Sequence, residues 1–389
     1  MPVARDVLHV AIDARLLHYR PAGIGTYIRG LTQGLDTVAD NGAQFTVLIS
    51  RKDNHSPAMP DRFRAVKAWT PCHSRYEQMF LPLELFGHGF DVLHSPDFIP
   101  PFARRCKSVI TIHDLAFLLY PDILTEESRR YYSQVHRAAE SADAIISVSN
   151  STKRDIVQEL GVGEDKVFVV HNGVGSEFRP VEDARTLEDS LVKYGIERPF
   201  ILFVGTLEPR KNLPTLLRAF AKLDPNTPGD DRNDPVKLPR LVIVGRQGWL
   251  CDNLNSEIRG LGISERVIFT GHVEGDDLVA LYNASAFLVQ PSLYEGFGLP
   301  PLEAMACGTP CIVSNTSSLP EIVGDAALKV DPLDVQGWTQ AMMKMLTSAD
   351  LRERLRAKGL ARSTEFTWEA AARKTLEIYQ MVGKESSRS

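Results

Sequence analysis

Short apolar runs alternate with longer amphipathic stretches along the whole chain. Strands of a parallel sheet are covered on both faces, so runs of this length predict buried strands, and the amphipathic stretches predict crossover helices. Six runs lie in each half: LHVAID (8–13), FTVLIS (45–50), DVLHS (91–95), SVITIHD (108–114), AIISVS (144–149) and KVFVVHN (166–172), then FILFVG (200–205), RLVIVG (240–245), RVIFTG (266–271), AFLVQP (286–291), TPCIVS (309–314) and ALKVDP (327–332). The pattern predicts an α/β protein with two Rossmann-like, doubly wound domains.

Polar stretches set the predicted domain boundaries. We assign residues 1–180 to the first domain and 181–366 to the second, and we read 367–382 as an amphipathic helix followed by a frayed tail to residue 389. The segment 224–240, rich in Pro, Asp and Asn, is predicted to be an exposed loop. Because open parallel sheets bind ligands at the carboxyl ends of their strands, functional residues are expected there.

Charge and composition exclude several classes of protein. The formal net charge of -5 argues against binding to nucleic acid through bulk positive charge. No apolar run approaches the ~20 residues of a spanning helix, and the N-terminus lacks the apolar core of a secretion signal. The five cysteines form no C-x-x-C motif, and D-x-D, H-E-x-x-H and Walker A sequences are absent. We therefore expect no disulfide framework and no metal site, and a cytoplasmic location.

Two motifs combine a strand end with features that suit an anion. PAGIGTYIRG (21–30) places Gly23 and Gly25 before a predicted helix that runs to about Val38. Its spacing departs from the dinucleotide fingerprint, and a simple glycine turn is an equally good interpretation. GTLEPRKN (205–212) places Arg210 and Lys211 at a helix start, which is the unfavourable end for cations unless they bind phosphate. A solvated basic pair is the alternative.

The strongest motif is EGFGLPPLEAMACG (295–308). Pro300 and Pro301 favour a helix start, and the preceding backbone amides of Phe297, Gly298 and Leu299 can form an anion-binding nest. Glu295 and Glu303 flank this nest with seven residues between them, and carboxylates accept hydrogen bonds from paired sugar hydroxyls. The alternatives are a capping acid for Glu295 and, for Glu303, an acid in the first helical turn that the helix dipole favours.

TIHDLAF (111–117) ends a predicted strand with a histidine. His113 can contact substrate or move a proton, although a hydrogen-bonded structural histidine is equally consistent with the sequence.

These motifs, in this order and together with VSNSTKRDI, HNGV, GHV and LPEIVGDAAL, resemble those of the retaining GT-B glycosyltransferases of family 4. The resemblance extends from about Leu8 to Met381 and is closest to the bacterial mannosyltransferase group of lipopolysaccharide and exopolysaccharide assembly. It implies a GT-B fold with two domains facing a central cleft, an acceptor-binding first domain and a donor-binding second domain. The last helix is implied to cross back to the first domain.

The resemblance also implies roles for individual residues. Glu295 and His113 match catalytic positions near the donor sugar, and Glu303 matches the glutamate that holds the ribose. Arg210 and Lys211 match the basic pair that binds the diphosphate. The remaining donor contacts implied are backbone contacts: Gly23 at the phosphate, Val273 at the base, and Phe297, Gly298 and Leu299 near the sugar and phosphates. Ser317 and Ser318 stand where family members often have paired glycines.

The implied reaction is the transfer of a hexose, mannose from GDP-mannose, to a glycan or lipid-linked acceptor without a metal or other cofactor. Glu295→Ala is expected to reduce transfer while sparing the fold. A UDP-sugar-dependent glucosyl- or galactosyltransferase, a nucleotide-sugar epimerase and a non-catalytic nucleotide-sugar-binding partner subunit are the alternatives.

RYEQMFLPLELFGHGF (75–90) suggests peripheral contact with the inner face of the plasma membrane. A buried helix lining the acceptor cleft is the preferred interpretation of that segment.

Overall fold

Two parallel β-sheets organise the chain. The computed structural model describes residues 7–19, 22–40, 42–53, 59–120, 126–224, 238–246 and 254–386. The chain divides into a first unit, formed by Met1–Gly173 and Phe366–Ser389, and a second unit, formed by Val174–Glu365. These divisions lie close to the predicted boundaries at 180 and 366. Among the described helices, none combines the length and apolar composition of a membrane span.

The first unit contains a seven-stranded sheet in the order β3-β2-β1-β4-β5-β6-β7. Its strands are β1 (Leu8–Asp13), β2 (Ala43–Ser50), β3 (Arg64–Ala68), β4 (Val92–Ser95), β5 (Lys107–Ile112), β6 (Ala144–Ser147) and β7 (Val167–Val169). Its helices are α1 (Ala22–Val38), α2 (Glu77–Leu85), α3 (Ala116–Leu119), α4 (Glu126–Tyr132), α5 (Val135–Ser141), α6 (Asn150–Leu160) and the last helix of the chain. The six predicted strands are confirmed, and β3 is an additional edge strand.

The second unit contains a six-stranded sheet in the order β10-β9-β8-β11-β12-β13. Its strands are β8 (Phe200–Val204), β9 (Arg240–Val244), β10 (Val267–Gly271), β11 (Phe287–Gln290), β12 (Cys311–Ser314) and β13 (Ala327–Val330). Its helices are α7 (Ala184–Lys193), α8 (Leu213–Ala221), α9 (Leu254–Gly260), α10 (Asp276–Ala284), α11 (Leu299–Ala306), α12 (Leu319–Val323), α13 (Val335–Thr347) and α14 (Ala349–Ser363). Within the described residues, the strand pairs of both sheets are parallel, so the prediction of two doubly wound α/β domains is confirmed.

The last helix, α15 (Trp368–Ser386), packs against α1 within the first unit. Gly30 makes room for the Trp368 indole, because a Cβ at position 30 would lie 2.0 Å from that ring. Gly34 and Gly173 allow the backbone of Trp368 to approach as closely, with distances of 2.3 and 2.2 Å to a Cβ at those positions. Farther along the helix, the Tyr379 hydroxyl lies 2.5 Å from His94 Nδ1. The helix therefore completes the core of the first unit.

The structure differs from the sequence predictions in one helix face and at one helix end. The interpretation of 75–90 as a buried helix is wrong, because α2 exposes Met79, Phe80 and Leu83 and buries only Glu77 and Leu81. The helix predicted for 367–382 continues through Ser386, so residues 384–386 are helical rather than frayed. Most of the predicted loop at 224–240, the end of the tail at 387–389, and Cys251 lie outside the described residues.

Candidate functional site

The basic pair and the first acid of the strongest motif meet at the carboxyl ends of two neighbouring strands. Arg210 and Lys211 lie in a short 3₁₀ turn after β8, and Glu295 lies in the loop after β11. β8 and β11 are adjacent in the sheet, so their following loops are brought side by side. The backbone amide of Leu293 donates to the Arg210 carbonyl at 2.8 Å and joins the two loops directly.

Both oxygens of the Glu295 carboxylate are occupied by hydrogen-bond donors. Lys211 Nζ lies 2.7 Å from Oε1 and 2.8 Å from Oε2. Arg210 donates to Oε2 at 3.2 Å, while Gln290 and Ser292 donate to Oε1 at 2.9 and 2.7 Å. Glu295 and Lys211 are buried. Residues 210, 211 and 295 thus form one hydrogen-bonded cluster, which we call the Glu295 cluster.

The charges of this cluster are fixed by their partners. Burial by itself raises the pKa of Glu295, but the positive charges of Lys211 and Arg210 and the hydrogen bonds from Lys211 and Ser292 bring that pKa down to about 2. Burial, with a contribution from Arg210, lowers the pKa of Lys211, and Glu295 opposes the shift. Glu208 also pairs with Arg210, at 2.8 Å. Two acids therefore balance two cations, and Glu295 is ionised throughout the physiological range.

Two serines hold the glycine-containing loop that follows Glu295. Ser318 Oγ donates to the carbonyls of Glu295 and Phe297 at 2.9 and 2.8 Å. Ser317 Oγ accepts from the Glu295 amide at 3.0 Å. The Phe297 carbonyl and the Gly298 N–H belong to the same trans peptide and point in opposite directions. Because this carbonyl accepts from Ser318, the Gly298 N–H points away from Ser318. These two serines are the residues at the positions for which the sequence resemblance implies glycines.

Gly298 caps α11, which begins at Leu299. Its φ of 109° lies in the left-handed region, and a Cβ there would come within 2.8 Å of the Leu319 side chain. Both the backbone angle and the limited space therefore require glycine at this turn.

Glu303, on α11, is held in a different environment from Glu295. The Tyr282 hydroxyl donates to its Oε2 at 2.7 Å. Burial, together with the negative charge of Glu177, raises the pKa of Glu303 to about 7, and the hydrogen bond from Tyr282 opposes this shift. Glu303 therefore changes its charge near neutral pH.

Val273, assigned to the base-binding region by the motif GHV, is buried after β10.

The first unit contains the two remaining candidate residues. His113 follows β5, and its Nε2 donates to the Pro96 carbonyl at 3.0 Å. Burial lowers its pKa, so the ring is neutral near pH 7, with the proton on Nε2 and Nδ1 able to accept. Tyr27 packs edge-on against the ring at 4.8 Å. Gly23 lies in the first turn of α1, where a Cβ would have no neighbour within 4 Å among the described residues.

A buried polar network lies next to His113. His94 Nε2 lies 2.8 Å from Thr111 Oγ1, which in turn lies 2.9 Å from the Tyr27 hydroxyl. Burial, with the nearby His113, lowers the pKa of His94 to about 3. Both histidines are therefore uncharged.

Sequence reasoning missed several residues that shape the site: Glu208, Tyr282, Gln290, Ser292 and the hydroxyl roles of Ser317 and Ser318. Gln290 and Ser292 had a detectable signal, since they are polar residues at the end of the apolar strand FLVQ. No sequence signal indicated Tyr282 as the partner of Glu303, because Tyr282 lies in a separate helix. Within the described ranges, no three His, Cys, Asp or Glu side chains form a group suited to a metal ion.

Comparisons with known proteins identify the family. The model "Glycosyltransferase Family 4" matches residues 21–178, and "Glycosyl transferases group 1" matches residues 188–362. O-antigen chain mannosyltransferase B from Escherichia coli is 33% identical over 75% of this chain and 74% of its own length.

Solved structures show the same fold at low identity. Sucrose-phosphate synthase from Thermosynechococcus elongatus superposes with a TM-score of 0.76 at 21% identity, covering 96% of this chain and 98% of that protein. HepE from Anabaena, solved in complex with UDP-glucose, superposes with a TM-score of 0.74 at 16% identity, covering 96% and 100%. The motifs, the two parallel sheets and these matches agree, and the chain belongs to the group 1 glycosyltransferases of family 4, with the GT-B fold.

Proposed function

We propose that this chain transfers mannose from GDP-mannose to a hydroxyl of a glycan or lipid-linked acceptor in the biosynthesis of a cell-surface polysaccharide, in the cytoplasm and with retention of anomeric configuration. The observation that carries the proposal is the Glu295 cluster, in which two cations and a permanently ionised carboxylate are fixed at adjacent strand ends. The similarity to an O-antigen chain mannosyltransferase supports mannose as the sugar.

The cations suit a departing nucleoside diphosphate. An ammonium has three N–H donors, and Lys211 directs two hydrogen bonds to Glu295, so a third donor remains for a phosphate oxygen. Arg210 is held between Glu208 and Glu295, which fixes its guanidinium before the donor arrives. Charge that develops on the leaving group is best stabilised by such preorganised groups. The proposed reaction therefore requires no metal and no other cofactor.

Glu295 is proposed to orient the donor sugar rather than attack it. A covalent nucleophile needs an accessible oxygen, whereas three donors contact Oε1 and two contact Oε2. Because a carboxylate has about four lone-pair sites, a hydroxyl of the sugar would have to replace the longest of these contacts, that of Arg210 at 3.2 Å. The leaving phosphate would accept the proton of the attacking hydroxyl, on the face from which it departs.

The other candidate residues complete the proposed donor site. Glu303 accepts from the ribose hydroxyls, and the neutral His113 accepts at Nδ1 from the donor sugar. Backbone groups make the remaining contacts, as the family resemblance suggests: Gly23, Phe297, Gly298 and Leu299 at the phosphates and sugar, and Val273 at the base. The alternative donor is a UDP-sugar, because the related HepE structure was solved in complex with UDP-glucose.

Calorimetric titration of the purified chain with GDP, UDP and ADP, and then with GDP-mannose and UDP-glucose, tests the donor. We expect selective binding of GDP and GDP-mannose without added metal. Preference for UDP would identify a UDP-sugar as the donor without changing the proposed reaction class. If a folded sample binds none of these nucleotides, the proposed donor site is wrong.

A paired mutation tests the cluster. Lys211→Met should remove donor binding, whereas Lys193→Met, which breaks an exposed ion pair with Asp277 in the same unit, should not. Mannosyl transfer by the purified wild-type chain would exclude the non-catalytic partner subunit. Release of an epimerised nucleotide sugar instead would identify an epimerase.

A further inference from the structure

A cavity lies at the point where the strand order of the first sheet reverses. From β1 the chain builds outwards through β2 and β3, and it then returns to place β4 on the other side of β1. Open parallel sheets bind ligands at such a switch point, outside the carboxyl ends of the strands. β1 ends at Asp13 and β4 ends at Ser95, and both residues line a cavity of about 20 Å³, which we call the β1/β4 cavity.

Acids outnumber bases among the residues that line the β1/β4 cavity. Three acids face two bases: Asp13, Glu77 and Asp97, with Arg15 and His73. Arg15 is 1% exposed, and its Nη2 lies 2.6 Å from Asp13 and 2.5 Å from Glu77. His73 Nε2 donates to Asp97 Oδ2, and the His73 side chain is 36% exposed. The charge of Arg15 is thus balanced by two acids, and the pair that reaches solvent is Asp97 with His73.

Ser95 contributes a buried hydroxyl that the described residues do not satisfy. Ser95 is 3% exposed, and no donor or acceptor of the described residues lies within hydrogen-bond distance of its Oγ. Leaving a buried polar atom unpaired is costly, so such atoms are normally paired with protein, water or a ligand. A cavity of this volume has room for about one water molecule, and therefore for one hydroxyl group. The unpaired Oγ indicates a ligand that presents a hydroxyl at this point.

Strained backbone occurs at the same place. Within the described ranges, four residues other than glycine have a positive φ: His73, Phe98, Asn212 and Ser317. Asn212 and Ser317 adjoin the Glu295 cluster. His73, with a φ of 61°, lines the β1/β4 cavity, and Phe98, with a φ of 36°, directly follows Asp97. Residues held in such conformations concentrate at functional sites, so the His73–Asp97 pair is placed as a binding element would be.

The lining suits an uncharged group that donates a hydrogen bond. Asp97 uses Oδ2 for His73, and because a carboxylate has about four acceptor sites, it retains capacity for a ligand hydroxyl. The Ser95 hydroxyl can both donate to and accept from the same ligand group. A phosphate or carboxylate would meet an excess of acids even when His73 is protonated, and like charges in contact are strongly unfavourable.

We propose that the β1/β4 cavity binds one hydroxyl of the acceptor sugar, and that it selects an uncharged sugar over one that carries a phosphate or carboxylate at that position. Ser95 and Asp97 are the residues that determine this specificity. His73 is a positioning residue, held between Asp97 and the Tyr131 ring, whose centroid lies 4.1 Å from that of the His73 ring. This inference rests on the proposed function, because it takes a sugar hydroxyl as the acceptor. The contacts that carry it lie within the first unit.

NMR spectroscopy of protein labelled in its histidine rings tests the proposal, since His73 lines the cavity. The probes are the methyl glycosides of mannose, glucose, galactose and N-acetylglucosamine, and the His73→Gln spectrum assigns the His73 signal among the ten histidines. At least one glycoside should shift this signal to saturation. Of its monodeoxy analogues, the one that lacks the bound hydroxyl should lose binding. The phosphate ester at the same position should bind more than about tenfold more weakly than the parent glycoside.

A matched pair of serine variants locates the binding. Ser95→Ala should weaken binding of the glycoside by about fivefold to tenfold, the loss expected for one hydrogen bond. Ser108→Ala is the control, because the Ser108 Oγ is likewise buried without a partner among the described residues, whereas Ser108 does not line the cavity. In transfer assays Ser95→Ala should raise the KM for the acceptor glycoside and leave the KM for GDP-mannose unchanged.

A third variant tests the charge. Asp97→Asn keeps the size of the side chain and should reduce the preference for the uncharged sugar over its phosphate ester by about tenfold. Circular dichroism reports on the fold of each variant, and GDP-mannose titration reports on the second unit. If Asp97→Asn does not fold, the serine pair decides the question.

Three outcomes would overturn the proposal. The first is a folded wild-type protein in which no neutral glycoside shifts the His73 signal. The second is an equal effect of Ser95→Ala and Ser108→Ala on glycoside binding, and the third is a phosphate ester that binds at least as tightly as its parent sugar. Failure of the glycosides in a protein that binds GDP-mannose would reject this proposal alone. Glycoside binding that depends on Ser95, in a protein that fails to bind GDP-mannose, would leave it standing and reject the proposed donor.

Discussion

The two ends of the segment 295–303 hold the same kind of side chain in opposite states. At the Glu295 end, two cations, an amide and a hydroxyl contact the carboxylate, and its pKa is about 2. At the Glu303 end, burial outweighs one phenol hydrogen bond, and the pKa is about 7. Burial raises the pKa at both ends, so the charges of the partners decide the sign of the net shift. One end provides a fixed negative charge, and the other a charge that responds to pH.

Removal of each carboxylate should separate the two ends most clearly. Glu295→Ala leaves Lys211 buried without its anion and should lower the free energy of unfolding by about 3–5 kcal/mol. This revises the expectation from sequence that the substitution spares the fold. Glu303→Ala should stay within about 1 kcal/mol of wild type, because the lost hydrogen bond to Tyr282 is offset by removal of a carboxyl whose burial disfavours its charge. Urea denaturation of both variants measures the difference, and equal losses would contradict the comparison.

Donor binding should depend on pH through Glu303. If ribose hydroxyls bind the charged carboxylate, the donor must deprotonate Glu303 below its pKa of about 7. Because this pKa is raised above the usual carboxyl value, the Kd should fall by up to about tenfold per unit as pH rises towards 7, and then level off. GDP-mannose is the appropriate ligand, since the terminal phosphate of GDP itself titrates near pH ~6.

Two variants sharpen this pH measurement. Tyr282→Phe removes the hydrogen bond that lowers the pKa of Glu303, so the midpoint of the binding profile should move to higher pH. Glu303→Gln should bind weakly and without the dependence near pH 7. An unchanged profile in Glu303→Gln would assign the titration to another group.

Loss of a single hydroxyl should affect the Glu295 end less. Ser318→Ala removes the donor to the Glu295 and Phe297 carbonyls and should cost about 1 kcal/mol of stability and weaken GDP-mannose binding. Ser314→Ala is the matched control, because Ser314 is equally buried but makes one long hydrogen bond of 3.4 Å. An equal effect of both substitutions on donor binding would show that the loop does not depend on Ser318.

The smallest effect is expected at the neighbouring serine. Ser317 has a φ of 50°, which disfavours a residue with a Cβ, while its hydroxyl accepts from the Glu295 amide. Ser317→Gly relieves the strain and loses the hydrogen bond, so stability should change by less than about 0.5 kcal/mol. Thermal unfolding measures it, and a larger change of either sign shows which contribution dominates.

The sequence predicts the sheets well because a central parallel strand must be apolar along its whole length. β3 was not predicted, because it is an edge strand and lacks a continuous apolar run. Ala68 is the one residue of its five that is buried. The spacing of Tyr76, Met79, Phe80 and Leu83 predicts a helix with an apolar face. The spacing does not indicate whether this face packs on the core, because that depends on which apolar surfaces the other helices and strands leave uncovered.

The sequence also identifies residues of the site better than it predicts their states. Spacing singles out Glu295 and Glu303 together, and nothing in the local sequence distinguishes their environments. The difference arises from Lys211 and Tyr282, which are distant in sequence and approach only in the folded unit. Long-range pairing of this kind is not encoded in a local pattern, so the pKa values require the structure.

The packing of Trp368 against Gly30, Gly34 and Gly173 has a consequence for the order of synthesis. All residues from Val174 to Glu365 are translated before the helix that completes the first unit. At roughly 5–20 residues per second, the nascent first unit waits for about 10–40 s with this groove open. All residues of the second unit are therefore synthesised before the last residues of the first unit. A ribosome that stops short of residue 366 therefore releases a chain whose first unit lacks part of its core.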